Sequence, residues 1–184
     1  MNIALRKKIL TMVARDQAMR ASGKWDTSVD ERNAKAMKSI VDDFGWPGND
    51  MIGAEGAEGA WLLVQHADQD KKFQRRMLPI LRKKAREGTV SPLHYAYLLD
   101  RVNVNSGKRQ RYGTQFGMRR GKFGPRPIGD RKTLDARRKS VGLGPFREYL
   151  KRMTEKNAAL QKKPPDELGG PSPFQANSML RCAR

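Results

Sequence analysis

His66 is the side chain in this sequence best suited to acid–base chemistry, because the ordinary pKa of an imidazole lies near neutrality. It stands near the end of the segment AEGAEGAWLLVQHAD, residues 54–68. On a helical wheel Glu55 shares a stripe with His66, but eleven residues of helix span about 16 Å, so Glu55 does not orient the imidazole. His66 is therefore either a general acid or base, or a hydrogen-bonded structural histidine, and spacing alone favours the structural interpretation.

Two further polar groups follow in the sequence. Asp100 and Arg101 are adjacent, and they could clamp an anionic substrate or simply cap and pair, which is the commoner arrangement. The segment QRYGTQ, residues 110–115, interrupts any core periodicity with closely spaced hydrogen-bonding side chains. Such a segment meets a ligand, a turn or its own neighbours, and the sequence supports a site and a structural network equally. His94, beside two tyrosines, is interpreted as core or surface filler.

Several kinds of chemistry are not indicated by the sequence. No two histidines stand at a metal-ligand spacing, and there is no GxxxxGK[ST], GxGxxG or GxSxG motif. A single cysteine, Cys182, excludes an intramolecular disulfide and a cysteine-based zinc site. We therefore predict no metal and no cofactor.

The elements that must position these residues are mostly helices. Apolar residues recur at spacings of three and four, and glycines and prolines separate the periodic segments. The predicted helices are 3–20, 29–44, 54–68, 73–85, 93–101, 134–141 and 146–160. The alternation Val102-Asn103-Val104, followed by the turn residues 105–108 and then by 109–112, predicts a short β-hairpin. Residues 113–130 have the composition of a loop.

These elements predict a mainly α protein, a compact helical domain over residues 1–162 with one short β-hairpin. A disordered, basic and Pro-rich tail, 163–184, is expected to follow. Apolar residues make up 38% of the chain and charged residues 31%, and no stretch approaches the roughly 18 apolar residues of a membrane span. We expect a soluble, cytoplasmic protein without membrane contact. The sequence leaves the oligomeric state open.

Net charge is the strongest compositional signal, at +19 over 184 residues. Residues 111–184 contribute +12 of it, from 18 basic and 6 acidic side chains. Such a field attracts polyanions, although a purely solubilising surface is the alternative. No zinc-finger, basic-zipper or aromatic RNA-recognition pattern accompanies the charge. The predicted polyanion-binding residues are Arg119, Arg120, Lys122, Arg126, Arg131, Lys132, Arg138 and Lys139.

Five short motifs in order carry a resemblance: GWPG, AWLLVQHAD, YLLDRV, QxYGTQ and R(R)xxVGL, which together span residues 46–149. In this combination the chain resembles an uncharacterised bacterial domain of unknown function. The resemblance implies candidate positions but no reaction. It favours the interpretation that His66 and the YGTQ segment belong to one polar site. The positions it implies are Trp46, Trp61, Gln65, His66, Asp100, Arg101, Gln110, Tyr112, Gly113, Thr114, Gln115 and Arg137.

We therefore expect one pocket in which three element ends meet. Its predicted catalytic residues are His66, Asp100, Arg101, Tyr112 and Gln115, with Asp100 orienting the imidazole. Its predicted substrate-binding residues are Trp46, Trp61, Gln65, Gln110, Thr114 and Arg137.

Three functions fit these residues. The first is nucleic-acid binding, with RNA favoured, together with metal-independent acid–base chemistry in which Arg101 or Arg137 meets the phosphate. The second is an enzyme for a small molecule or peptide, whose basic surface only steers an anionic substrate. The third is a non-catalytic protein associated with nucleic acid, in which the polar residues form a structural network.

Overall fold

A computed structural model describes residues 1–161, which form seven helices and one two-stranded antiparallel hairpin. This confirms the predicted mainly α fold with one hairpin, whereas the predicted tail lies outside the described residues. The elements in chain order are α1 (Ile3–Ser22), α2 (Thr27–Phe44), α3 (Asn49–His66), α4 (Lys71–Arg86), α5 (Pro92–Asn105), β1 (Phe116–Arg119), β2 (Lys122–Pro125), α6 (Leu134–Lys139) and α7 (Phe146–Gln161). In the described part of the chain, no helix has the length and apolar character needed to cross a membrane.

Four helices begin at a polar side chain that caps the first turn. Asn2, Asp26, Asp70 and Ser91 each accept a hydrogen bond from a backbone N–H two or three residues further on. Such caps satisfy amides that have no partner inside the helix. These local signals explain why the sequence places most helix starts within a few residues.

The helix α3 is the centre of the main core. Every residue from Gly59 to His66 is buried, as its nearly continuous apolar sequence predicts. Gly59 lets α1 come close, since a Cβ at this position would lie 2.9 Å from Val13 Cγ2 and 3.4 Å from Ile9 Cγ2. The close approach of α1 brings side chains of α1 next to the end of α3.

The hairpin lies elsewhere than predicted. Val102 to Val104 belong to the last turns of α5, and the turn residues after them close that helix, because the Lys108 N–H donates to the Asn103 carbonyl at 2.8 Å. The alternation came from a half-buried helix end, where Val102 is buried and Asn103 and Val104 are half-exposed. The strands β1 and β2 pair instead within the segment predicted to be a loop.

A two-residue loop, Arg120-Gly121, joins β1 to β2. Its φ angles are 51° at Arg120 and 73° at Gly121, both positive, as a type I′ turn requires. The base of the hairpin is anchored by aromatic contacts, because the Phe116 ring meets the Tyr149 ring of α7 edge-on at 5.4 Å. The hairpin tip therefore projects from a packed base.

Candidate functional site

His66, the last residue of α3, is hydrogen-bonded to Asp16 of α1. Its Nδ1 lies 2.9 Å from Oδ2 and 3.0 Å from Oδ1 of Asp16. Asp16 is fully buried and His66 is only 4% exposed. A buried carboxylate that holds one imidazole nitrogen is the arrangement that orients a general base.

Asp16 is not among the predicted site residues, although the sequence carries a signal for it. Asp16 continues the buried stripe of α1, which also contains Leu5, Ile9, Met12 and Met19. A carboxylate at a core position of an amphipathic helix needs a buried partner. The partner lies 50 residues away, which local spacing cannot show.

The electrostatics of this pair leave the imidazole neutral. Burial lowers the pKa of His66 and outweighs the raising effect of Asp16, and the charges of Arg20 and Arg101 lower it further. Burial also tends to raise the pKa of Asp16, but the hydrogen bond from His66 together with the hydrogen bond and charge of Arg20 holds it below its usual value. An ionised Asp16 needs a donor, so we assign the proton to Nδ1, which leaves the lone pair on Nε2.

Arg20 extends this pair into a buried cluster. Its Nη2 lies 2.6 Å from Asp30 Oδ1 and 3.1 Å from Asp16 Oδ1. Burial raises the pKa of Asp30 to about 6, against the opposing charge of Arg20. The guanidinium also lies over the Trp25 ring, 4.6 Å from its centroid. The cluster ties α1, α2 and α3 together around one arginine.

Arg101 forms a bidentate ion pair with Asp68, just beyond α3. Its Nε lies 2.7 Å from Oδ1 of Asp68 and its Nη2 lies 2.5 Å from Oδ2. Gln74 and Asn105 also donate to Asp68. The structure thus gives Arg101 the pairing role, and places it close enough to His66 for its charge to lower the imidazole pKa.

Several buried polar atoms at the end of α3 have no hydrogen-bond partner within residues 1–161. They are His66 Nε2, Gln65 Nε2 and Gln74 Oε1. The Gln74 amide nitrogen meanwhile donates to the carbonyls of Val64 and Gln65. Buried polar groups are normally satisfied, so we name this group, with Asp16, the α3-end site and treat it as the candidate for chemistry.

The two tryptophans predicted to bind substrate differ in whether the indole N–H has a hydrogen-bond partner. Trp46 Nε1 is buried and unpaired among the described residues. Trp61 donates from Nε1 to the His94 carbonyl at 3.2 Å, and its ring stacks on the His94 ring at 4.3 Å. His94 in turn lies 2.9 Å from Glu58, so it is a packed and paired residue.

Asp100 does not contact His66 as predicted. Its Oδ1 accepts from the backbone N–H groups of Arg111 and Tyr112, and its Oδ2 accepts from the backbone N–H and the hydroxyl of Thr114. Burial raises its pKa, and these hydrogen bonds oppose that shift. The prediction that Asp100 orients the imidazole is wrong, because Asp16 has that place and the oxygens of Asp100 hold the 111–114 loop.

The rest of the QRYGTQ segment belongs to the same structural network. Gln110 donates from Nε2 to the carbonyls of Gln115 and Arg126, and accepts at Oε1 from the Gln115 N–H at 2.8 Å. Gln115 Nε2 donates to Thr114 Oγ1, and the Tyr149 hydroxyl donates to the Thr114 carbonyl. Asp100, Gln110, Tyr112, Thr114 and Gln115 are thus brought together as the anchor of the hairpin base, which we name the Asp100 network.

Arg137 and Arg138 hold this loop from α6. Arg137 donates to the carbonyls of Arg111, Gly129 and Asp130. Arg138 is 1% exposed and donates to the carbonyls of Tyr112 and Gly144, both at 2.7 Å. The prediction that Arg138 contacts a polyanion is wrong, because its guanidinium is buried and donates to backbone carbonyls.

The other predicted polyanion-binding residues lie closer to the surface. Arg126 is half-buried and folds back to donate to the Met118 carbonyl at 3.3 Å. Six cations are exposed and form no ion pair with any residue up to Gln161: Arg119, Arg120, Lys122, Arg131, Lys132 and Lys139. The first three lie on the hairpin, Arg131 and Lys132 lie in the loop after it, and Lys139 ends α6. We name all six the hairpin cations.

Residues 1–161 contain no group of three or more His, Cys, Asp or Glu side chains that could hold a metal ion.

Comparison with known proteins gives a family. The model of a family of unknown function, DUF6624, matches residues 3–163, and the chain belongs to that family. The match includes α1, and with it Asp16, which lies outside the five motifs that carried the resemblance. No curated protein and no solved structure matches significantly.

Proposed function

We propose that this protein binds nucleic acid, with RNA favoured, through the hairpin cations. The observation that carries the proposal is the set of six exposed cations without ion-pair partners within the described chain. Exposed cations near carboxylates are partly neutralised, whereas unpaired ones keep their full field for phosphate. Asp130, the carboxylate closest in sequence to Arg131, pairs with Arg137 instead.

The rigid mounting of the hairpin supports the same proposal. The Asp100 network fixes the chain up to Gln115, and the Arg126 N–H donates to the Gln115 carbonyl directly below the strands. A two-stranded ribbon with an anchored base loses little conformational entropy on binding. The tip then presents Arg119, Arg120 and Lys122 as a unit.

The proposal is tested by fluorescence anisotropy with a labelled RNA at about 50 to 300 mM salt. Replacing Arg119, Arg120 and Lys122 by Gln should weaken binding and flatten the dependence of log K on log salt. Replacing Lys8, Lys24 and Lys35 by Gln is the matched control, because these exposed lysines of the N-terminal third carry the same total charge. An affinity that does not change with salt, or equal losses in both variants, would refute binding at the hairpin.

A second candidate function, acid–base catalysis on the bound RNA, is favoured by the α3-end site. With Nδ1–H donated to Asp16, the Nε2 lone pair of His66 can accept the 2′-hydroxyl proton of RNA. That oxygen then attacks the adjacent phosphorus, and the 5′-oxygen leaves with a proton from water. Only RNA carries this nucleophile. The 4% exposure of His66 requires side chains at the end of α3 to move before a substrate reaches it.

His66→Asn separates catalysis from structure. The Asn amide can replace Nδ1 as the donor to Asp16, but nothing replaces Nε2. Loss of RNA cleavage in the presence of a chelator, with a melting temperature within about 4 °C of the wild-type value, would support the catalytic role. Cleavage by His66→Asn at the wild-type rate would refute it. RNA binding without cleavage by the wild-type protein would instead support a non-catalytic nucleic-acid protein.

A further inference from the structure

The helix α4 is strongly cationic, and no function is predicted for it from the sequence. Its 16 residues contain eight basic and no acidic side chains. Its apolar face is buried, since Phe73, Met77 and Leu81 are at most 3% exposed. The cations therefore occupy the outer face of a helix that is already packed.

The packing of that apolar face decides between two polyanionic partners. A basic amphipathic helix binds a membrane by inserting its apolar face between lipids. In α4 that face belongs to the main core, so insertion would require the helix to leave the fold. A nucleic-acid backbone needs only the exposed charges, and it is the partner that the packing favours.

One end of α4 also forms a groove that combines charge with an aromatic ring. It has a volume of about 470 Å³ and lies between α4 and α5, lined by Leu78, Pro79, Arg82, Lys83, Arg86 and Tyr95. The ring of Tyr95 is partly buried against the main core, which holds it in place. Arg82 and Arg86 are exposed and form no ion pair with any residue up to Gln161.

We propose that this groove is a nucleotide pocket for single-stranded nucleic acid, in which a base packs against Tyr95 and the flanking phosphates meet Arg82 and Arg86. The proposal rests on the proposed nucleic-acid function and adds a second site to it. A volume of this size suits a small ligand, and a partly exposed ring beside cations is the usual combination for single strands. In a duplex the bases are stacked on each other, so a duplex can offer only its phosphates here.

The test uses a labelled single-stranded RNA of about 12 nucleotides, and the same RNA annealed to its complement. Tyr95→Leu should weaken single-strand binding roughly tenfold, and Tyr95→Phe, which keeps the ring, should bind within about twofold of wild type. Duplex binding should be the same in wild type and Tyr95→Leu. Wild-type single-strand affinity in a folded Tyr95→Leu would overturn the pocket.

The cations of the groove have a matched control on the same helix. Arg82→Gln with Arg86→Gln should reduce the salt slope for the single strand by about 1 to 1.5, since each phosphate contact contributes about 0.7. Lys71→Gln with Lys72→Gln removes the same charge from exposed positions at the other end of α4, and should change the slope less. Equal changes in the two double variants would overturn the pocket and leave only general charge attraction.

The outcomes also separate this site from the hairpin. If the hairpin variant loses RNA while Tyr95→Leu does not, the pocket fails and the proposed function stands. If the wild-type protein binds no RNA, both fail. Binding to phosphatidylserine vesicles that is lost in the Arg82 and Arg86 double variant, with unchanged RNA binding, would assign the groove to a membrane surface and overturn the proposal.

Discussion

Asp16 and Asp100 are both fully buried, yet their hydrogen-bond partners are of different kinds. Asp100 accepts from three backbone amides and one threonine hydroxyl, none of which titrates near neutral pH. Asp16 accepts from an arginine and from an imidazole whose second nitrogen has no partner within residues 1–161. The hydrogen bonds of Asp100 hold a loop. Those of Asp16 lead to His66 Nε2, an atom that can exchange a proton. In this fold, the hydrogen-bond donors around a buried carboxylate distinguish a structural carboxylate, Asp100, from one in a candidate acid–base site, Asp16.

The largest effect should come from removing the carboxylate at the centre of the Asp100 network. Asp100→Ala leaves the N–H groups of Arg111, Tyr112 and Thr114 without this acceptor, and the last two are buried. We expect a loss of about 3 to 5 kcal/mol in the free energy of unfolding. Urea denaturation measures it. Asp100→Asn is the control, since it keeps one oxygen acceptor and should lose less. A loss below about 1 kcal/mol in Asp100→Ala would remove the distinction drawn between the two carboxylates.

The next largest effect is the pH dependence of stability that the buried cluster around Arg20 confers. The pKa of Asp30 is raised from 3.8 to about 6, so between these values the unfolded state releases the proton that the folded state keeps. The contribution of Asp30 to stability is therefore fully present below pH 3.8 and is lost as the pH rises through about 6, by about 3 kcal/mol. Arg20 and Asp16 face this carboxyl, and His66 acts in the opposite sense, because its lowered pKa costs stability as the pH falls below 6.5.

Asp30→Asn isolates this contribution. The difference in unfolding free energy between wild type and Asp30→Asn should change between pH 4 and pH 7 in the direction that favours the variant at pH 7. Thermal or urea unfolding at the two pH values measures it. A constant difference would mean that Arg20 keeps Asp30 ionised throughout.

A smaller effect on stability is expected from His66→Asn, which removes the Nε2 atom. Because Nε2 has no partner in the described part of the chain, His66→Asn removes no hydrogen bond beyond the one that its amide can restore. We expect a stability loss of about 1 kcal/mol, well below that of Asp100→Ala. A loss as large as that of Asp100→Ala would show that His66 is as structural as Asp100.

The smallest effect concerns the hairpin turn. Arg120 has a positive φ of 51°, which Asn adopts more readily than Arg. Arg120→Asn should raise stability by about 0.5 kcal/mol and weaken RNA binding, which thermal melting and anisotropy measure together. Gain of stability without loss of binding would exclude Arg120 from the RNA contact.

The helices could be predicted from the sequence because their signals are local. Cap residues such as Asp26 and Ser91, and the three- and four-residue spacing of apolar side chains, act within one or two turns. The hairpin was misplaced because Val102 and Val104 alternate at a helix end in the same way as in a strand, whereas the true turn has Arg120 where Asn or Gly is usual.

The candidate site was harder to predict because its contacts are not local. Its histidine was found from its chemistry, but Asp16 approaches it only when α1 packs across α3. Arg138 was counted with the surface cations because composition cannot tell which charges point inward. Periodicity could have shown Asp16, since it occupies a core position among Ile9, Met12 and Met19.

The 50 residues between Asp16 and His66 also bear on how the chain is made. At about 5 to 20 residues per second, translation takes roughly 3 to 10 s to pass from one to the other. During that interval α1 exists without the helix that later covers its apolar stripe. A carboxylate in the middle of that stripe makes the waiting helix less prone to associate with other nascent chains. Asp16 thus interrupts the apolar stripe of the nascent helix before it becomes the buried partner of His66.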